Sequence, residues 1–144
     1  MTVAAAETAV AAKLKATAAI TALVSQRVYA RIAPEGETKP YIVIVHPQGE
    51  TRNRTANRRD IFRKTPLTLR CVADTYLEAA TVANTVIDTL DSSSTAVTGS
   101  QTWGGVSVDH CAVMDNYDAS DQPQLGDEIG FPVEAVELNL FHIC

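Results

Sequence analysis

The run Tyr41-Ile-Val-Ile-Val45 constrains the fold of this 144-residue chain more than any other stretch. Five aromatic or β-branched residues follow one another without a polar side chain, and Pro47 and Gly49 then close the run. A strand of this kind has nothing to show water on either face, so it sits inside a sheet covered on both sides, or nearly so. A second strand reads differently. After Pro66, Leu67, Leu69 and Cys71 fall on one face and Thr68 and Arg70 on the other, the alternation of a half-buried strand.

Helical patterns flank these strands. Over residues 3–24, Val10, Leu14, Thr17, Thr21 and Val24 recur in steps of three and four with alanines between them, which predicts one helix. Asp74 is placed to cap a second helix, with Glu78 in its first turn, where negative charge suits the helix dipole. Tyr76, Ala80, Ala83, Ile87 and Leu90 trace its apolar face, and Asp91-Ser-Ser-Ser94 ends it. A short strand at 27–32 and two more near 106–114 and 132–143 complete the pattern, with loop expected over 95–105. Helix, strands, helix, strands argues for an α+β class: a mostly antiparallel β-sheet with two α-helices packed on one face. The length suits a single domain over 1–144, carrying a basic loop at 48–65 and an acidic loop at 115–130.

Charge is distributed unevenly along the chain. Residues 1–70 hold all twelve Lys and Arg against five acids, a balance of +7; residues 71–144 hold twelve acids and no Lys or Arg, a balance of −12. Two such halves can pair within one molecule. They can also present opposite charge on different faces, so that identical copies meet head to tail in rings or filaments.

Several functions find no support. No stretch approaches the ~18 apolar residues of a membrane span. Glu7 interrupts the alanine-rich N-terminus where a signal peptide needs an apolar run, so a chain made and kept in the cytoplasm is expected. Cys71, Cys111 and Cys144 have neither the count nor the spacing of a disulfide framework, and reduced thiols are expected. His110-Cys111 and His142-Cys144 lack zinc-ligand spacing, and Asp115, Asp118 and Asp121 lack the alternate-residue pattern of a calcium loop. Ser107, Asp109 and His110 supply the letters of a triad without a nucleophile elbow. No phosphate-binding or metalloprotease motif occurs, so no enzyme, cofactor or metal is expected. Trp103 falls in the expected 95–105 loop, where packing onto its own domain is the ordinary outcome and a partner contact the rarer one.

Two blocks of sequence resemble a known family. Leu23, Val24, Arg27, Val28, Tyr29, Ala33, Pro34, Pro40 and Tyr41 match the opening of the tail-completion, or tail-terminator, proteins of long-tailed bacteriophages. Ala73, Thr75, Tyr76, Glu78 and Ala79 are similar to the family's strand-to-helix junction. Arg70 departs from it, standing in a strand where relatives often carry an acid, and the 51–64 stretch is unusually basic. The resemblance implies a small α+β virion structural protein that forms a homo-oligomeric ring, a hexamer in the family. Such a ring caps the tail tube at its head-proximal end, stops polymerisation and offers a head–tail joining surface; another connector or neck component of the same particle is the alternative. The partners it implies are further copies of the chain, the major tail tube protein and a head–tail connector protein, with DNA passing through the lumen and no membrane.

The stretch Thr51–Lys64 holds six of the twelve basic residues: Arg52, Arg54, Arg58, Arg59, Arg63 and Lys64. It is expected to make subunit or lumen contacts, with Asp115, Asp118, Asp121, Asp127 and Glu128 as the acidic partner surface. A phosphate grip is the rival reading. Six neutralised phosphates would give a log K against log salt slope of roughly −5. With Phe62 as its one aromatic and turn-favouring Asn53, Thr55 and Asn57, the stretch has neither base-stacking platforms nor a recognition helix. A simple solvated loop is the plainest alternative.

Overall fold

In the computed structural model the chain is described over residues 3–31, 33–34, 37–45, 51–53, 62–91, 101–118 and 131–143. In chain order these form α1 (Val3–Lys15), α2 (Ala18–Val24), β1 (Val28–Ala30), β2 (Tyr41–Val45), β3 (Thr51–Asn53) and β4 (Phe62–Val72). Then follow α3 (Tyr76–Leu90), β5 (Gln101–Trp103), β6 (Val106–Asp118) and β7 (Val133–Ile143). The strands make one sheet in the order β1-β2-β4-β7-β6-β5, with β3 paired to the outer part of β4. Every pairing is antiparallel except β1 with β2.

The α+β class stands, but three helices replace the expected two. The pattern over 3–24 breaks at Thr17, which adopts extended geometry and starts α2, while its hydroxyl donates back to Lys13 O at 2.8 Å. No glycine or proline marks this break. Length supplies a reason: 22 helical residues would span ~33 Å, whereas six strands at ~4.8 Å spacing make a sheet only ~24 Å across. Bending lets α1 bury Ala6, Ala9, Val10 and Leu14 over the sheet while α2 turns Ile20 and Val24 inward beside α3.

Helix α3, the second of the two expected helices, starts one residue later than expected. Thr75, not Asp74, is the N-cap, its hydroxyl accepting from Glu78 N–H at 3.2 Å. Its buried face is Ala79, Val82, Ala83, Val86 and Leu90, so Tyr76 is exposed rather than part of the core.

Strand β4 also starts earlier than Pro66, at Phe62, and runs unbroken through the proline. Its full length pairs with β7, whereas its other flank pairs with β3 only over 62–64 and with β2 only over 68–72. Pro66 thus lies where one flank of the strand has no strand partner among the described residues, which suits a residue without an N–H.

The interior run of β2 behaves as its composition demands. Ile42 and Ile44 join Leu67, Leu69, Cys71, Val136, Leu138 and Leu140 in the main core beneath the helices. Tyr41 and Val43 turn to the opposite face, where Val72, Val133, Ala135 and Ala33 form a second, smaller core. Trp103 lies in β5 rather than in a loop and is buried in the main core, with Lys13 Nζ 5.7 Å from its ring centre. Gly104 follows at φ +57, where a side chain would be strained, and a Cβ there would sit 2.7 Å from Ala12 Cβ of α1.

Candidate functional site

The family-like residues before β2 build the lid of the second core. Arg27 Nε donates to Pro40 O at 3.0 Å, across the cis Lys39–Pro40 peptide. The Tyr29 and Tyr41 rings meet edge to face with centroids 6.4 Å apart, and the Tyr29 hydroxyl bonds Glu37. Phe131 packs against the same small core, and Lys39 Nζ stands 3.7 Å from its ring centre. This motif therefore closes the sheet face opposite the described helices.

Next to that small core the same face turns polar. Arg70, Ala135 and Tyr117 lie in register across β4, β7 and β6, and Thr68, Glu137 and Asp115 form the next row. Arg70 is only 3% exposed. The Tyr117 hydroxyl bonds Glu137 Oε1 at 3.0 Å. Desolvation raises the Tyr117 pKa most, and its hydrogen bond to Glu137 and the charges of Glu137 and Asp115 raise it further, while Arg70 opposes them. The strand pattern marks Arg70 as polar-face, but nothing in its spacing signals that it is buried.

The expected contact residues divide between described and undescribed parts of the chain. Arg52 stands opposite Arg63, and Thr51 opposite Lys64, at the base of the β3–β4 hairpin. Arg54, Arg58 and Arg59 lie outside the described residues, as do Asp121, Asp127 and Glu128. Asp115 and Asp118 are not loop residues; they occupy the exposed end of β6. There Asp115 faces Glu137 and Asp118 faces Glu134 across the ladder, two like-charge pairs of the kind that weaken a sheet. Asp118 Oδ2 accepts from the Tyr76 hydroxyl at 3.0 Å, and Asn116 Nδ2 reaches Glu134 at 3.4 Å.

At the other end of the sheet a groove of about 560 Å³ runs between α1 and β1, lined by Glu7, Thr8, Lys15, Val28, Ala30 and Arg31 among others. Glu7 is 4% exposed; its Oε2 lies 3.5 Å from Arg31 Nε, and its Oε1 has no hydrogen-bond partner among the described residues. Arg31 holds φ +73, a left-handed conformation that costs a non-glycine residue roughly 1–2 kcal/mol. Its own side chain is largely exposed. Sequence reasoning missed this site because Glu7 reads there only as an interruption of an alanine run.

Among the described residues no group of three His, Cys, Asp or Glu side chains is placed to hold a metal. Cys71 and Cys111 are buried free thiols, each with its pKa pushed up to about 12, chiefly by burial. No described helix is long and apolar enough to cross a membrane.

The sheet thus has one helix-covered face over the main core and a second face with a smaller lidded core. The tail completion protein gp17 family model matches residues 8–120, and the chain belongs to that family, as a tail protein of the virion. Among solved structures, a chain titled "Virion of native gene transfer agent (GTA) particle" matches with a TM-score of 0.64 at 14% identity. The match covers 96% of this chain and 94% of that one, and shows a shared fold. No curated protein matches the sequence significantly.

Proposed function

We propose that the chain acts as a tail terminator: a closed ring of identical copies that caps the tail tube, ends its polymerisation and offers the surface on which the head is joined. The family match over residues 8–120 carries this reading. The charge split supports it, because a chain at +7 over residues 1–70 and −12 over 71–144 favours head-to-tail contacts between unlike surfaces, the kind that builds a ring when its rotation closes. The mechanism is geometric. One surface of the ring matches the last layer of the tube and another receives a connector protein, so growth stops without any chemical step. The basic residues Arg52, Arg54, Arg58, Arg59, Arg63 and Lys64 act at subunit or lumen contacts, with Asp115, Asp118, Asp121, Asp127 and Glu128 as an acidic counterpart. Individual exposed ion pairs contribute only about 0.2–1 kcal/mol, so they orient assembly more than they drive it.

Sedimentation velocity with trace labelled duplex DNA tests this against a phosphate grip. A discrete oligomer that appears with protein concentration, with DNA sedimenting alone, is the expected result. A monomer that carries DNA at low salt and releases it as salt rises would replace the ring with a DNA-binding protein.

A further inference from the structure

Among the described residues two strand edges of the sheet carry no further strand, and their chemistry differs. β1 is an end strand. Arg31 N donates to Ile44 O at 2.8 Å and Ile42 N donates to Arg27 O at 3.0 Å. The alternation of a parallel ladder therefore turns the N–H and C=O of Ala30 away from β2, toward the groove beside α1. On the far side of the sheet, β5 pairs with β6 only over Val106–Val108. From His110 to Asp118 the flank of β6 away from β7 carries no strand among the described residues.

We propose that the α1–β1 groove is a strand-addition site that receives the acidic β6 end, Asp115–Asp118, of a second copy of this chain. The proposal rests on the ring reading and names one contact within it. Three observations converge on the groove. The buried Glu7 keeps Oε1 without a donor among the described residues, which an N–H of an added strand supplies. Arg31 is held in a left-handed conformation beside it, and such outliers cluster where a contact is prepared. Lys15 and Arg31 put two cations along the groove.

The β6 end brings acidic side chains to those cations, Asp115 and Asp118 standing on opposite faces of the strand so that one of them turns toward the α1 side. Asp115 faces Glu137 and Asp118 faces Glu134 across their own ladder, so cations brought by a second copy would ease the repulsion there. The lengths agree as well. From Glu7 to Lys15, α1 rises ~12 Å, and the extended stretch from Asp115 to Asp118 spans ~10 Å. The two surfaces are different and lie at opposite ends of the sheet, so the contact is head to tail and extends the sheet from one copy to the next.

The test uses charge reversal in the full chain, followed by sedimentation velocity, with circular dichroism to confirm folding. Lys15→Glu with Arg31→Glu should shift the concentration for half-assembly upward at least tenfold, and so should Asp115→Lys with Asp118→Lys. All four together should recover most of the wild-type assembly, because the paired charges are restored with opposite sign. Acidic side chains and the register shift at Val113/Asp115 also guard edges against pairing. If they do only that here, the wild type still assembles, either reversal leaves assembly unchanged, and this contact is wrong while the ring stands. A wild type that stays monomeric at every concentration sinks both.

Discussion

The two faces of the sheet solve different problems. Beneath the helices, Leu67, Leu69 and Cys71 of β4 meet Val136, Leu138 and Leu140 of β7 and the inward residues of α1, α2 and α3 in a continuous apolar layer. The other face has only a small apolar core under the lid built from Tyr29, Ala33 and Tyr41, and beside it a polar array around Arg70, Tyr117 and Glu137. Burial on the first face is non-directional and supplies most of the stability. The second face depends on particular partners. It follows that substitutions on the first face should act through stability, whereas those in the polar array of the second should act on titration.

The largest expected effect is on the helix-covered face. Leu69→Ala removes a fully buried side chain and should cost about 2–5 kcal/mol in denaturant unfolding. A loss below about 1 kcal/mol would break the distinction between the faces. Alkaline pH probes the same layer. The Cys71 and Cys111 thiols titrate near 12 in the fold against 9.0 when unperturbed, so the fold favours their protonated forms. Their contribution is full below pH 9 and is lost as pH rises from 9 toward 12. A Cys71→Ala, Cys111→Ala chain should show a shallower decline over that window when unfolding is followed against pH.

Smaller effects sharpen the contrast. Gly104→Ala should cost about 1–3 kcal/mol, since its Cβ would press on Ala12 at a left-handed position. Thr75→Ala removes the α3 cap and should cost about 1 kcal/mol. On the polar face, Arg70→Met should raise the Tyr117 pKa and Glu137→Gln should lower it, read by phenolate absorbance. Equal titration in both variants would remove Arg70 and Glu137 from the array.

Much of this division was legible in the sequence, and its failures have physical causes. The uniform β-branched run at 41–45 required cover on both faces, and the structure provides two separate cores there. Alternation placed Leu67, Leu69 and Cys71 correctly because a strand period of two leaves no ambiguity. Helix faces were less secure: Tyr76 satisfies the period but lies in the first turn of α3, outside the packed layer. The break at Thr17 and the position of Trp103 in a strand are tertiary outcomes without a local signal. The open edges of β1 and β6 depend on strand order, which no residue pattern states. Asp115 and Asp118 were singled out by charge alone, and only the ladder shows that they face Glu137 and Glu134.

The proposed capping role is tested most directly by growing tail tubes from purified tube protein with increasing amounts of this chain and measuring lengths by electron microscopy. A terminator should halt elongation in a dose-dependent way, leaving shorter tubes with a ring-shaped density at one end. Tubes of unchanged length with bare ends, at concentrations where the chain is fully folded, would contradict it.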